Sequence, residues 1–134
     1  MDSNIDLDRA SGQIAARTAV WVARGLDVGP LTWRDQARAW PDQVVAGRVN
    51  AAEPDSVGFE VRCGDEEGRL VLYAGGWADV EYWDGIDADS AWIAVEGDYD
   101  APLTQQEFGS LLDELGARFR RNRDADRFGG SSRT

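Results

Sequence analysis

The chain contains no lysine and no histidine; all 14 of its basic residues are arginine. Without histidine, serine–histidine and cysteine–histidine catalytic arrangements are excluded, and the commonest general acid–base side chain is missing. A single cysteine, Cys63, excludes an internal disulfide and reads as a structural residue. There is no CxxC pair, no GxxxxGK[ST] loop and no GxGxxG after a strand, so nothing marks a thiol redox centre, a P-loop or a dinucleotide site. No apolar run approaches the length of a transmembrane helix. Met1-Asp2-Ser3-Asn4 is not a basic region leading into an apolar stretch, so no signal peptide is expected and the expected location is cytoplasmic. Arginine used to the exclusion of lysine fits the codon bias of a GC-rich bacterial genome.

What is present is one domain's worth of chain, 134 residues of which 43% are hydrophobic, enough to bury a core. The net charge of −11 is unevenly spread. Residues 1–52 hold six acids and six arginines, whereas residues 53–114 hold 17 acids against Arg62 and Arg69 alone. Residues 115–134 reverse the sign, with six arginines and two acids. The anionic middle should repel nucleic acid and anionic membrane and attract a basic partner.

The spacing of Leu7, Ala10, Ile14, Thr18, Trp21 and Val22 predicts an amphipathic helix that is capped by Asp6 and ends near Gly25. After the Gly29-Pro30 break, Thr32 to Pro41 reads as a short helical turn with Trp33, Ala37 and Trp40 on one face. From Gln43 the period changes to two, and five strands are predicted at 43–51, 56–63, 69–74, 77–83 and 90–96. Short links rich in Gly, Pro and Asp favour an antiparallel meander. Thr104 and Glu107 form a capping box, and Phe108, Leu111, Leu112, Leu115 and Phe119 line one face of a second helix ending near Arg120. The expected architecture is therefore α+β: a meander sheet of about five strands with the N- and C-terminal helices on one face. It forms one domain over residues 1–120, with an Arg/Gly/Ser-rich flexible tail over 121–134.

Strand parity suggests which face is free. If Gly75-Gly76 is a two-residue hairpin turn, Val71, Tyr73, Ala78, Val80 and Tyr82 share a charge-free face. A five-residue turn at 64–68 adds Val57, Phe59 and Val61 to it, and Ala91, Ile93 and Val95 complete it. Leu70, Leu72, Trp77, Asp79, Glu81, Trp83, Trp92 and Glu96 then lie on the outer face, beside acidic turns that contain Glu66, Glu67 and Asp87. An outer face with several tryptophans is an exposed apolar patch of roughly several hundred Å², and tryptophan is enriched at binding hot spots. The alternative is that these indoles fill a second small core under segment 27–42. Asp79 and Glu81 would stand roughly 6–7 Å apart on one strand face, a glycosidase-like spacing, but on an open sheet rather than in a cleft. The acidic loops 84–89 and 98–100 carry oxygen ligands without EF-hand spacing. No cofactor or metal is expected, and the residues favour binding over catalysis.

The order helix, meander, helix, with the hairpin Val71-Leu72-Tyr73-Ala74-Gly75-Gly76-Trp77-Ala78-Asp79-Val80-Glu81 at its centre and the Thr104 to Phe119 helix at its end, resembles the TriTu family of immunity proteins. These are small cytoplasmic antitoxins of bacterial polymorphic toxin systems. The resemblance covers roughly residues 7–119, and segment 27–42 departs from it. It implies a non-enzymatic protein that occupies a cognate toxin domain, without nucleic acid or membrane as partner. The competing reading is a secretion chaperone resembling the type III class, also small and acidic, usually homodimeric, which holds an effector segment.

Overall fold

The computed structural model describes residues 5–132, with side chains from Ile5 to Phe119 apart from Ser90. It is an α+β protein in which two helices lie on an open antiparallel sheet of seven strands. Helix α1 spans Leu7–Ala23, and the Asp6 carboxylate caps it by accepting from the Asp8 and Arg9 amides at 2.9 and 3.1 Å. Two of the amides left over at a helix start are thereby satisfied. Helix α2 spans Gln105–Ser132. Its capping box is reciprocal: the Thr104 amide donates to Glu107 Oε1 at 2.9 Å, and the Glu107 amide to Thr104 Oγ1 at 3.0 Å. The helical backbone passes the Arg120 position where the charge pattern suggested an end, and only Arg133 and Thr134 of the expected tail lie outside the described residues.

The strands are β1 (Asp27–Val28), β2 (Thr32–Asp35), β3 (Val44–Ala46), β4 (Pro54–Cys63), β5 (Glu66–Tyr73), β6 (Ala78–Trp83) and β7 (Trp92–Glu96). They run in the order β3-β2-β4-β5-β6-β7, with β1 also paired to β4. The helical turn expected at 32–41 is not formed. Thr32-Trp33-Arg34 instead pairs between β3 and β4, and Trp33, only 2% exposed, turns into the core. Burial of that indole against the sheet outweighs weak local helix preference. Strands β1 and β2 act as one interrupted strand along β4: the Gly29 amide still donates to the Glu60 carbonyl at 2.8 Å, and Pro30, which has no amide to donate, marks the break. The strand expected at 43–51 shrinks to Val44–Ala46, followed by a 3₁₀ turn at Arg48–Asn50.

Two turns differ from their sequence reading, and together they invert β5. Cys63 pairs with Glu66, so the first hairpin closes through Gly64-Asp65 alone, with positive φ (61°) only at Gly64. In the next hairpin the Tyr73 amide donates to the Trp77 carbonyl at 2.9 Å, so the loop is Ala74-Gly75-Gly76, three residues rather than two. Gly76 alone takes positive φ (102°). Gly75 serves another end, because a Cβ there would collide with the indole of Trp77. Leu72 consequently pairs with Ala78 and Leu70 with Val80. The inner face carries Leu70 and Leu72, not Val71 and Tyr73. Ala78, Val80, Tyr82, Val57, Phe59 and Val61 lie inside as expected.

Strand β7 is inverted likewise. Ala94 pairs with Val80 and Trp92 with Tyr82 on the inner face, while Ile93 and Val95 are 74% and 64% exposed on the outer one. Both helices pack on the inner face. Leu7, Ala10, Ile14 and Trp21 of α1 and Phe108, Leu111, Leu112, Leu115 and Phe119 of α2 join the inward strand residues in one core. Val22, counted into the α1 stripe, is exposed.

The excursion from β2 to β4 closes on Asp35. Its buried carboxylate accepts from the amides of Ala37, Ala52 and Glu53, each at 3.0 Å, and from Arg38 Nε at 3.3 Å. The Glu53 amide, opposed by burial and joined by Ala52, Ala37 and Arg38, holds this carboxyl at about 2, below its ordinary 3.8. A carboxylate depressed in the folded state stabilises fully above its unfolded pKa and loses that contribution as pH falls through the folded one. Stability to urea should therefore drop between pH 3.8 and about 2, and Asp35→Asn should flatten that part of the profile while lowering stability at neutral pH. A second expectation concerns Gly68, where a Cβ would sit 2.8 Å from Phe119 Cε1 and 3.1 Å from Val61 Cγ1, both fully enclosed. Gly68→Ala should lower the urea midpoint by an amount equivalent to about 1–3 kcal/mol, the usual cost of overpacking.

Candidate functional site

With both helices on one side, the other side of the sheet has no covering layer among the described residues. Cross-strand register sets out what it presents. Glu60, Arg69, Glu81 and Ile93 form a central row. On one side of it run Arg62, Glu67 and Trp83. On the other run Thr32, Gly58, Val71, Asp79 and Val95, then Val44, Arg34, Ser56 and Tyr73. The alternation Glu60–Arg69–Glu81 puts opposite charges at directly opposed positions, though Arg69 closes no ion pair with either among the described residues.

Two of the hollows on this face are shallow and broad. One, about 420 Å³, is bounded by Trp83, Ile93, Glu60 and Glu81 and walled by Ala88 and Ala91 of the β6–β7 connection. The other, about 520 Å³, is bounded by Arg34, Val44, Val71 and Tyr73, with Gly58 among its lining. Glu60 and Arg69 line both, so the hollows adjoin along the central row. Arg62 reaches Glu67 at 3.6 Å and Glu60 at 3.9 Å, and Arg34 reaches Asp55 at 3.5 Å. The exposed Arg62 pairs shape the surface more than they stabilise it, whereas Asp55 is only partly exposed and its Oδ1 is buried without a hydrogen-bond partner among the described residues. Glu81, by contrast, makes no hydrogen bond or ion pair among the described residues. The Tyr73 hydroxyl donates to Asp79 Oδ2 at 3.2 Å, and its ring stacks on Trp77 with centroids 5.7 Å apart. Burial, and then the Asp79 carboxylate, push its pKa above the ordinary 10.0.

Of the residues singled out by the sequence, Trp77, Asp79, Glu81, Trp83 and Glu67 lie together on this face, and Trp83 is 40% exposed. Asp87 lies at its end, in the β6–β7 connection, where its carboxylate accepts from the Asp89 amide at 2.9 Å. Three do not join them. Glu66 is 8% exposed and turned inward, where Tyr82 Oη donates to its Oε2 at 2.6 Å, because the two-residue turn at Gly64-Asp65 sets its parity. Trp92 and Glu96 belong to the inner side of β7, and the Arg118 guanidinium lies 3.9 Å from the Trp92 ring centroid. In their place the outer face gains Arg69, Val71, Tyr73, Ile93 and Val95, which the sequence reading placed inside or passed over. The three-residue turn at 74–76 sets Arg69, Val71 and Tyr73 outward, and the β6–β7 connection does the same for Ile93 and Val95.

The alternative of a second core under segment 27–42 is not what forms. That segment extends the sheet sideways, burying Trp33 on the inner side and leaving Trp40 82% exposed. Among the described residues no group of three or more Cys, Asp or Glu is arranged to hold a metal ion. No helix among them is long and apolar enough to cross a membrane. The Asp79 and Glu81 carboxylates stand on an open surface, which suits recognition of a large partner better than enclosure of a small substrate. Comparison with known proteins finds no matching family, no matching curated protein and no matching solved structure.

The contrast between Trp83 and Trp33 is measurable. Trp83→Ala should cost less than about 1 kcal/mol in urea unfolding, as surface changes do. Trp33→Ala, from the core, should cost about 3–5 kcal/mol.

Proposed function

We propose that this chain is a non-enzymatic protein-binding module whose uncovered sheet face seats a basic partner, and that the partner is a cognate toxin domain. The observation that carries the reading is the face itself: a whole sheet surface, uncovered, on which Trp83, Tyr73 and Trp77 stand beside the carboxylates of Asp79, Glu81 and Glu67. Aromatic side chains in shallow hollows supply apolar area at little entropic cost, and nearby carboxylates select a partner rich in Arg and Lys. The resemblance to TriTu immunity proteins points the same way, as does the net charge of −11. A basic partner is drawn in by that field and then held by the indoles. If the toxin is a nuclease, an acidic occupant of its basic channel replaces the nucleic acid.

The test uses the toxin-domain protein encoded next to this chain's gene. Wild-type chain should rescue growth of cells expressing the toxin and bind it in vitro. Trp83→Ala should raise the dissociation rate and cost about 2 kcal/mol, near 30-fold in Kd. Neutralising Glu67 and Asp87 should slow association and flatten its salt dependence. Unchanged binding by Trp77→Ala, Trp83→Ala and Glu81→Gln variants that remain folded would place the interface elsewhere. Binding only to an unfolded segment of the partner would favour the chaperone reading instead.

A further inference from the structure

The two edges of the sheet are built differently. At one end β3 has only three residues, and Pro30 interrupts the strand beside it. Short edge strands and proline are devices that keep sheets from pairing edge to edge. At the other end β7, Trp92-Ile93-Ala94-Val95-Glu96, has no proline, no lysine or arginine and no bulge, and no strand lies beyond it among the described residues.

Nor do its connections cover it. The segment before β7 folds back over the first hairpin, where Gly85 packs on Asp65. The segment after it folds over the second, where the Leu103 amide donates to the Gly76 carbonyl at 2.7 Å. Both turn toward the middle of the sheet. Among the described residues the edge is left with its backbone unpaired by any strand and with Ile93 and Val95 exposed beside it.

We infer that β7 pairs antiparallel with β7 of a second copy of this chain, across a two-fold axis through Ala94, to form a homodimer with one continuous sheet. The sequence of the strand is self-complementary in this register. Ile93 meets Val95 of the second copy on the outer face, and β-branched pairs directly opposite are favourable cross-strand neighbours. Ala94 meets Ala94, whose small side chain keeps the axis uncrowded. On the inner face Glu96 meets Trp92 of the second copy, the indole already covered by Arg118. Glu96 makes no hydrogen bond or ion pair among the described residues, and this pairing brings its carboxylate toward that guanidinium. No like charges face each other, and all five strand residues are paired. The two-fold closes the assembly, so pairing ends at two chains rather than running on as a fibre.

This inference does not rest on the proposed toxin partner, since the chain alone suffices to test it. Sedimentation velocity of the full chain over a wide concentration range should show a reversible monomer–dimer equilibrium. Val95→Lys should raise the dimer Kd by about tenfold or more, with circular dichroism unchanged, whereas Val44→Lys at the opposite edge should leave it where it was. The register has its own readout. Directly opposite residues in an antiparallel pair have Cα atoms about 4.5–5.5 Å apart, within disulfide range. Ala94→Cys, in a chain also carrying Cys63→Ser, should therefore cross-link into a covalent dimer on mild oxidation. A chain that stays monomeric throughout leaves the edge to a strand from some other protein and overturns the proposal. So does a dimer unmoved by Val95→Lys or one that fails to cross-link through position 94.

Discussion

The indole of Trp21 stacks on Phe59 at 5.7 Å and lies against Gly116, so that α1, α2 and the sheet meet at one point. A side chain on Gly116 would drive the helices apart, because its Cβ would come within 2.5 Å of the indole nitrogen. The Arg17 Nε to Asp113 Oδ1 bond at 2.7 Å and the Gln13–Gln105 contacts at 2.8–2.9 Å tie the same two helices along their length. Close helix pairing lets both fit side by side over one face of the sheet. One face thus receives the apolar stripes of both helices, Leu7, Ala10, Ile14 and Trp21 of α1 and Phe108 to Phe119 of α2. The open face is therefore a consequence of the packing, and its composition need not serve the core.

That freedom accounts for the mixture found there. A buried sheet face favours satisfied polar groups: on the inner face the buried Glu66 carboxylate accepts the Tyr82 hydroxyl, although the buried Arg118 Nε over Trp92 has no hydrogen-bond partner among the described residues. The outer face combines Arg69, Glu60, Glu81 and Asp79 with Trp83, Ile93 and Val95. Such a surface is costly to leave exposed unless something occupies it, because exposed apolar residues gathered on one face invite association.

Much of the fold was legible because its signals are local. Asp6, the Thr104–Glu107 box and the 3.6-residue stripes are read within a single turn of helix, and both helices form where those signals lie. The parity of β4 and β6 was legible as well, since Val57, Phe59 and Val61 alternate with Glu60 and Arg62, and Val80 with Asp79 and Glu81. Strands β5 and β7 were not legible by the same means. Residues 70–73 are Leu-Val-Leu-Tyr and residues 91–95 are Ala-Trp-Ile-Ala-Val, apolar at both parities, so only turn length decides which side faces in. In the three-residue loop that forms, Gly75 lies against the Trp77 ring, a contact that local turn chemistry does not display. Segment 32–41 is a similar case: its helical spacing is genuine, but burial of Trp33 beside β4 is worth more than one isolated turn.

The charge distribution divides long-range from short-range recognition. On the outer face itself, Glu60, Glu67, Asp79 and Glu81 are set against Arg34, Arg62 and Arg69, so contact there is with a nearly balanced surface. The excess negative charge lies instead at the ends of the strands, in Asp65, Asp84, Asp87 and Asp89 at one end and Asp98 and Asp100 at the other. Charges at a rim act over about a Debye length, roughly 8 Å at physiological salt, and so govern approach rather than residence. For the proposed partner, residence would fall to Trp83, Ile93 and the hollow they border. Dimerisation through β7 would set two such hollows on either side of the two-fold axis, on one continuous face. A partner with a two-fold or repeated basic surface would then bind both at once, and its affinity would depend on their spacing as much as on the contacts in either.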